Sequence, residues 1–478
     1  MKWSAGRGAA GRWATAVLVG VLLSPTLSHG ADVGWDFVLS LPDPEVGAAD
    51  VDWTLNGFEG AVRLCADMPN AARGVRQIRQ ISPGPPHALP QDGACWKAQA
   101  EAGKPLQIRY RYDLTGMAAE AYDPDYVTQV DNSYLFNDET VFLRPDPLPP
   151  RAPITYAFRL PEGLSVSTPW QRLEGPTPRF RSDSNQYDGG SYVALGRLVS
   201  LGDVKVKGGV GTVTRVERPH RASDATLKAW VSRSLGWVAN FYGGVPSGRA
   251  HVVLVPVDSR SPGVFGTVLR HGFPSVVLFF GARAEDSDFE RDWVAPHELF
   301  HMGNPNVEGR IAWFVEGFTT YYQDVLRARG GVISAEAAWS DLYDGFRRFC
   351  DPEEGVSLKD ESAQMRRRHK YTRVYWGGAC LAFRLDVAIR EHSAGKQSLD
   401  TVLRELRRKG EEDSLAEEEI IKALDSAAGQ PLARTHLEAT EPPPLAPLYH
   451  HLGIEPTGPD AVRLNDEAPG AQLRKTIF

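Results

Sequence analysis

Long apolar runs are scarce in this chain. After the stretch from Trp13 to Leu23, no segment reaches the roughly 20 residues that a helix needs to cross a bilayer, so no integral membrane segment is expected in the mature chain. An excess of basic charge is also missing: 53 Lys and Arg stand against 60 Asp and Glu, for a formal net charge of −7. Losing Lys2, Arg7 and Arg12 with the N-terminus takes −7 to −10, which argues against nucleic acid or an anionic lipid surface as partner. Cysteine is sparse, and none of the four, Cys65, Cys95, Cys350 and Cys380, has the spacing of a thiolate metal site. No cysteine follows the apolar run, so lipid anchoring there is not indicated. No internal repeat is visible, which sets aside solenoids and propellers.

What is present begins with an export signal. Lys2, Arg7 and Arg12 precede the apolar run, and small residues follow at Ser28 and Gly30, the form of a secretory signal peptide cleaved near Gly30/Ala31. A secreted or periplasmic protein is implied, and an oxidising compartment lets cysteines pair. Local pairing, Cys65 with Cys95 and Cys350 with Cys380, is the simplest of three possible arrangements, and four free buried thiols are the alternative.

The chemistry is carried by His297-Glu298-Leu299-Phe300-His301 and, fifteen residues on, Glu316. Residues four apart share one face of a helix, so both imidazoles can reach a single zinc at about 2.0–2.1 Å. Glu298 projects at a neighbouring angle, suited to taking a proton from water on the metal. Gly303-Asn304-Pro305 ends that helix, since Gly accepts a left-handed cap and Pro cannot extend the ladder. A second helix from about Ile311 to Ala328, with Phe314, Phe318, Tyr322 and Val325 on its apolar stripe, returns Glu316 toward the first. The pentapeptide alone is equally compatible with an amphipathic helix whose histidines only satisfy hydrogen bonds. Pro296 places the start of the first helix, or a kink in it, just before His297. Ser287-Asp288-Phe289-Glu290 has the form of a capping box opening a preceding segment.

Trp313-Phe314-Val315-Glu316-Gly317 resembles the W-x-x-E-G segment of the gluzincin metallopeptidases, which carries the third zinc ligand. Tyr375-Trp376-Gly377-Gly378, Leu385-Asp386-Val387-Ala388-Ile389-Arg390 and Gly395-Lys396-Gln397-Ser398-Leu399-Asp400 narrow this to a resemblance to the glycyl aminopeptidase family. The resemblance implies a Zn2+ cofactor held by His297, His301 and Glu316, with Glu298 as general base. It also implies Tyr375 as the hydroxyl that supports the oxyanion, with Tyr371 its nearest competitor, and a peptide or protein substrate. Two departures stand out. Gly377 occupies the position of the family's Lys, and the stretch Gly263 to Ser275 has no carboxylate where related aminopeptidases grip the substrate's amine. Arg270 and His271 lie there instead, as cations for a substrate carbonyl or carboxylate or as solvated loop residues. These departures keep a non-catalytic, zinc-bound peptide-binding protein as the alternative.

The fold expected is α+β and multidomain: a β-rich N-terminal domain (31–217), a thermolysin-like zinc catalytic domain (218–345), a helical C-terminal domain (346–455) and a tail (456–478) too short to fold alone. Strand-like runs such as Leu106–Tyr112 and Ser191–Leu195 support the first, and Pro145–Pro150 reads as a stiff interior loop. In the second, a helix capped by Ser223 and ending near Gly243 precedes strands at His251–Val255 and Pro274–Phe280. Further helices are expected to begin near Ser334 and Thr372, after Ser398, and after a Ser414-Leu415-Ala416-Glu417 capping box. The run Glu417-Glu418-Glu419 then complements the helix dipole. The PDZ module that family members often carry at the C-terminus is not expected here, and the tryptophans are expected in the core and at domain contacts.

Overall fold

The computed structural model describes residues 33–120, 126–270, 272–350, 355–441 and 444–478. The expected signal peptide lies outside the described residues. The architecture is mixed α and β, with a β-rich N-terminal region, a central sheet carrying the site helices, and a helical C-terminal region.

Strict alternation builds the N-terminal region. In Leu106–Asp113, the residues Leu106, Ile108, Tyr110 and Tyr112 point into the core while Arg109 and Arg111 face out. The outward pair stands opposite Asp52 and Asp50 on the neighbouring strand Ala48–Asn56, giving charge pairs at 2.5 and 2.8 Å. Cys65 and Cys95 sit opposite each other on paired strands and form a disulfide. The start of the proline-rich run is itself a strand, Arg144–Asp146, paired against Arg63–Cys65, and the rest is a loop.

The central sheet has the order Leu198–Val206, Gly209–Val216, Arg249–Val257, Ser275–Gly281, Gly263–Leu269. It thus takes two strands from before residue 217. Its middle three strands are parallel, the first two joined by the crossover helix Asp224–Tyr242. Ser223 caps that helix through a 3.1 Å bond from the Thr226 N–H, and Gly243 ends it with φ 83°. The apolar runs of this sheet are continuous because both faces are covered. Val252, Leu254, Val276, Leu278 and Phe280 pack against helices, while Val253, Val255, Val277 and Phe279 pack against Leu135, Tyr192 and Ala194 of the N-terminal region. Gly263–Leu269, which glycine content had concealed, is the edge strand and runs antiparallel to its one neighbour.

Around this sheet lie the site helices Val294–His301 and Ala312–Arg329, then Ala335–Phe349, Leu358–Arg368, Tyr371–His392, Leu399–Glu412 and Glu417–Ala428. Leu358–Arg368, with its three consecutive arginines, was not foreseen. Cys350 and Cys380 join the end of Ala335–Phe349 to Tyr371–His392, the second of the two local pairings. The two capping boxes lie elsewhere than the sequence signatures placed them. The segment before the site is the short 3-10 helix Asp286–Arg291, capped by Glu285 and Asp288. The later box pairs Glu419 with the Ala416 N–H at 2.9 Å, because Leu415 is held in extended form by bonds to Asn306 and Glu308. The tail adds a strand pair and the helix Ala471–Lys475, packed on the helical region with Ile477 buried. Among the described residues, no helix is long and apolar enough to cross a membrane.

Candidate metal centre and active site

Asp292 sets the start of the first site helix. Its carboxylate accepts from the N–H groups of Ala295 (3.1 Å) and Gly263 (3.0 Å) and from the Trp230 indole (2.9 Å), so edge strand, crossover helix and site helix meet at one side chain. Pro296 is the third residue of Val294–His301, where its missing N–H would have had no helical partner. The helix is buried along its whole length, and Gly303 lies so close to the Tyr242 ring that a methyl group there would stand 2.1 Å from it.

This arrangement brings His297, His301 and Glu316 together. Their ligand atoms lie within 4.8 Å of one another, the one such group among the described residues. Glu316 Oε2 is 3.4 Å from His301 Nε2 and 3.7 Å from His297 Nε2. Donors about 2.0–2.2 Å from a single tetrahedral ion stand about 3.3–3.6 Å apart, so this donor set fits a zinc-sized cation. Burial works to raise the Glu316 pKa, but the two histidines outweigh it and hold the carboxyl well below its ordinary range. Burial lowers the pKa of His301, with Glu316 opposing, which favours the neutral imidazole a metal requires.

The far side of each imidazole is also held. His297 Nδ1 lies 2.9 Å from Gln323 Oε1, which accepts its proton and leaves the Nε2 lone pair for the metal. His301 Nδ1 lies 3.4 Å from Thr319 Oγ1, an acceptor, while the nearby Asn304 side-chain nitrogen can only donate and does so to the Val315 carbonyl at 3.3 Å. Since Thr319 donates to the Val315 carbonyl at 2.6 Å, its oxygen keeps a lone pair for the His301 proton. The sequence reading missed Gln323, Asn304 and Thr319. For Thr319 and Gln323 the signal was available: 316, 319 and 323 share one helical face.

Glu298 is 2% exposed; one of its oxygens accepts the Gly266 N–H, while Oε2 has no hydrogen-bond partner. Burial first, and Glu316 second, push its pKa well above the usual carboxylate range. A methyl group at Gly266 would lie 2.5 Å from Glu298 Cγ, so the strand can approach Glu298 this closely only with glycine there. Tyr375, not Tyr371, faces the centre. Its ring lies 6.3 Å from the His297 imidazole at 13°, and its buried hydroxyl lies beside the Glu316 carboxylate. Burial and the carboxylates of Glu316 and Glu298 push its ionisation well up, so it remains a proton donor.

Glu316 and Tyr375 are held relative to each other by two glycines. A methyl group at Gly317 would stand 2.4 Å from the Gly378 Cα, and one at Gly378 would stand 2.1 Å from the Trp313 carbonyl oxygen. Helices Ala312–Arg329 and Tyr371–His392 therefore cross with backbones nearly touching, which gives the glycine after Glu316 and the one three after Tyr375 a physical reason. Gly378→Ala is expected to destabilise the fold by about 1–3 kcal/mol through overpacking, read by urea denaturation, and to slow turnover by moving Tyr375 away from Glu316. Gly377 has its own reason: the Arg373 guanidinium lies where a side chain would begin, with Nη1 2.1 Å from the position of a Cβ. Arg270 is not a solvated loop residue. It donates to the Pro305 carbonyl at 3.2 Å, with Glu316 and Tyr242 close to its charge, while His271 lies outside the described residues.

With this geometry established, comparisons place the chain among known proteins. Residues 295–375 match the family model of the M61 glycyl aminopeptidase. No curated protein sequence matches. Among solved structures, an aminopeptidase N family protein from Idiomarina loihiensis superposes with TM-score 0.72 at 18% identity, over 88% of this chain and 78% of that one. An M1 zinc metallopeptidase from Deinococcus radiodurans, bound to a Tyr-Ser-Ala substrate, gives 0.57 at 15% identity, over 87% and 96%. Native yeast LTA4 hydrolase gives 0.51 at 17% identity, over 88% and 71%. The likeness to these structures is one of fold, the thermolysin-like core set between a β-rich and a helical region. Over residues 295–375, the segment that carries His297, Glu298, His301, Glu316 and Tyr375, the chain is thus similar to the M61 glycyl aminopeptidases, and its fold is like that of the aminopeptidase N family protein.

Proposed function

We propose that the protein hydrolyses peptide bonds with zinc held by His297, His301 and Glu316, with Glu298 as general base and Tyr375 as oxyanion donor. The observation that supports this most is the convergence of three ligand atoms within 4.8 Å of one another with the buried Glu298 Oε2, which has no protein partner, and the Tyr375 hydroxyl beside the Glu316 carboxylate. Zinc supplies a Lewis acid and makes a bound water acidic near neutral pH. Glu298, anchored by Gly266, accepts the proton released as the carbonyl is attacked and can return it to the leaving amine. Tyr375 donates to the oxygen on which negative charge grows, at no cost in reorganisation because its ring is already packed on His297. Gln323 and Thr319 keep the two imidazoles oriented.

Tyr375→Phe tests the mechanism. It is expected to lower kcat by about 10²–10³ while bound zinc stays the same, because it removes a donor used chiefly in the transition state. Unchanged turnover would remove Tyr375 from the mechanism. The two disulfides and the basic-apolar N-terminus support an exported protein.

A further inference from the structure

The fold buries its tryptophans. Trp53, Trp230, Trp313 and Trp339 are fully buried, and Trp237 and Trp376 pack half-buried on the core. Trp293 breaks this pattern at 46% exposure, the exposed tryptophan among the described residues.

Trp293 directly precedes the first site helix, and its ring lies 5.8 Å from the His297 imidazole at 84°. Its backbone is fixed, since the Trp293 carbonyl accepts the His297 N–H at 3.1 Å and the adjacent Asp292 is held by three donors. An indole that adds little to the core, held on a rigid frame beside the metal-site residues, offers a large apolar surface at low entropic cost. Charged groups nearby offer less to a substrate cation. Asp292 is committed to its three donors, Asp324 to Arg327 and Glu316 to the two histidines, while the positive charge of Arg270 lies close to Glu316 and His301. Beside these committed charges, Trp293 presents an exposed aromatic face.

We propose that Trp293 is a specificity-determining residue that receives an apolar side chain, best an aromatic one, of the bound peptide. This rests on the peptidase reading of the site, and the test separates the two. Triglycine and its three variants with a single Phe at the first, second or third position are titrated calorimetrically onto the zinc-loaded Glu298→Gln protein, with and without Trp293→Ala or Trp293→Phe. Phe at one position is expected to tighten binding about tenfold over triglycine. Trp293→Ala should erase that gain, Trp293→Phe should keep most of it, and triglycine affinity should not move. A Phe gain that survives Trp293→Ala, or no gain at any position, overturns the proposal. Hydrolysis of the same peptides by the protein with Glu298 intact reports on the peptidase reading. Trp293-dependent binding without hydrolysis would uphold the contact and overturn the enzyme.

Discussion

Glu298→Gln is expected to slow peptide hydrolysis by about three to four orders of magnitude, equivalent to about 4–5.5 kcal/mol of transition-state stabilisation. The amide is nearly isosteric and can still accept the Gly266 N–H, so the pocket should keep its shape. What it loses is the capacity to take a proton. Glu298 is not among the three clustered ligand residues, so zinc content should be unchanged. Loss of turnover at constant zinc separates the base from the ligands. Retained activity in this variant would mean that another group takes the proton.

Glu316→Ala is the second large effect, and it acts on the metal. The carboxylate is the one acidic member of the cluster and contacts both imidazoles, so its removal leaves two neutral nitrogens with nothing to offset the cation. Loss of a residue that merely orients a ligand already weakens metal affinity by about 10–100-fold, so losing the ligand itself should exceed that and abolish activity at ordinary zinc levels. The fold should survive, because the helix crossing beside Glu316 is made by Gly317 and Gly378 and not by the carboxylate. Competition with a chelator of known affinity gives the shift. Zinc bound as tightly as before would exclude Glu316 as a ligand.

The clustering of His297, His301 and Glu316 was legible because it is written at helical spacing: imidazoles four positions apart, a break at Gly303-Asn304-Pro305, and a glutamate on the returning helix. The same holds for the Ser223 cap and the two parallel strands whose apolar runs are continuous. Local disulfide pairing was legible from proximity in sequence. Other features depend on contacts that spacing cannot express. The edge strand Gly263–Leu269 contains two glycines because Asp292 and Glu298 press against it, and in sequence those glycines read as a loop. The box at Ala416 and Glu419 depends on a bridge from Leu415 to Val307, more than a hundred residues away. Gly377 was an unexplained departure until the Arg373 guanidinium was seen lying over it. Trp293 read as one more core tryptophan, because exposure is a property of the fold and leaves no mark in composition.

The most direct test of the central claim is peptide hydrolysis by metal-free protein titrated with Zn2+, using peptides with free and with blocked N-termini. Activity should be absent at the start and rise linearly to a plateau at about one zinc per chain, as a single three-ligand site requires. Hydrolysis that persists in the metal-free protein, or a full equivalent of bound zinc with no peptide cleaved, would contradict the account, and the second result would favour a protein that binds peptides without cutting them.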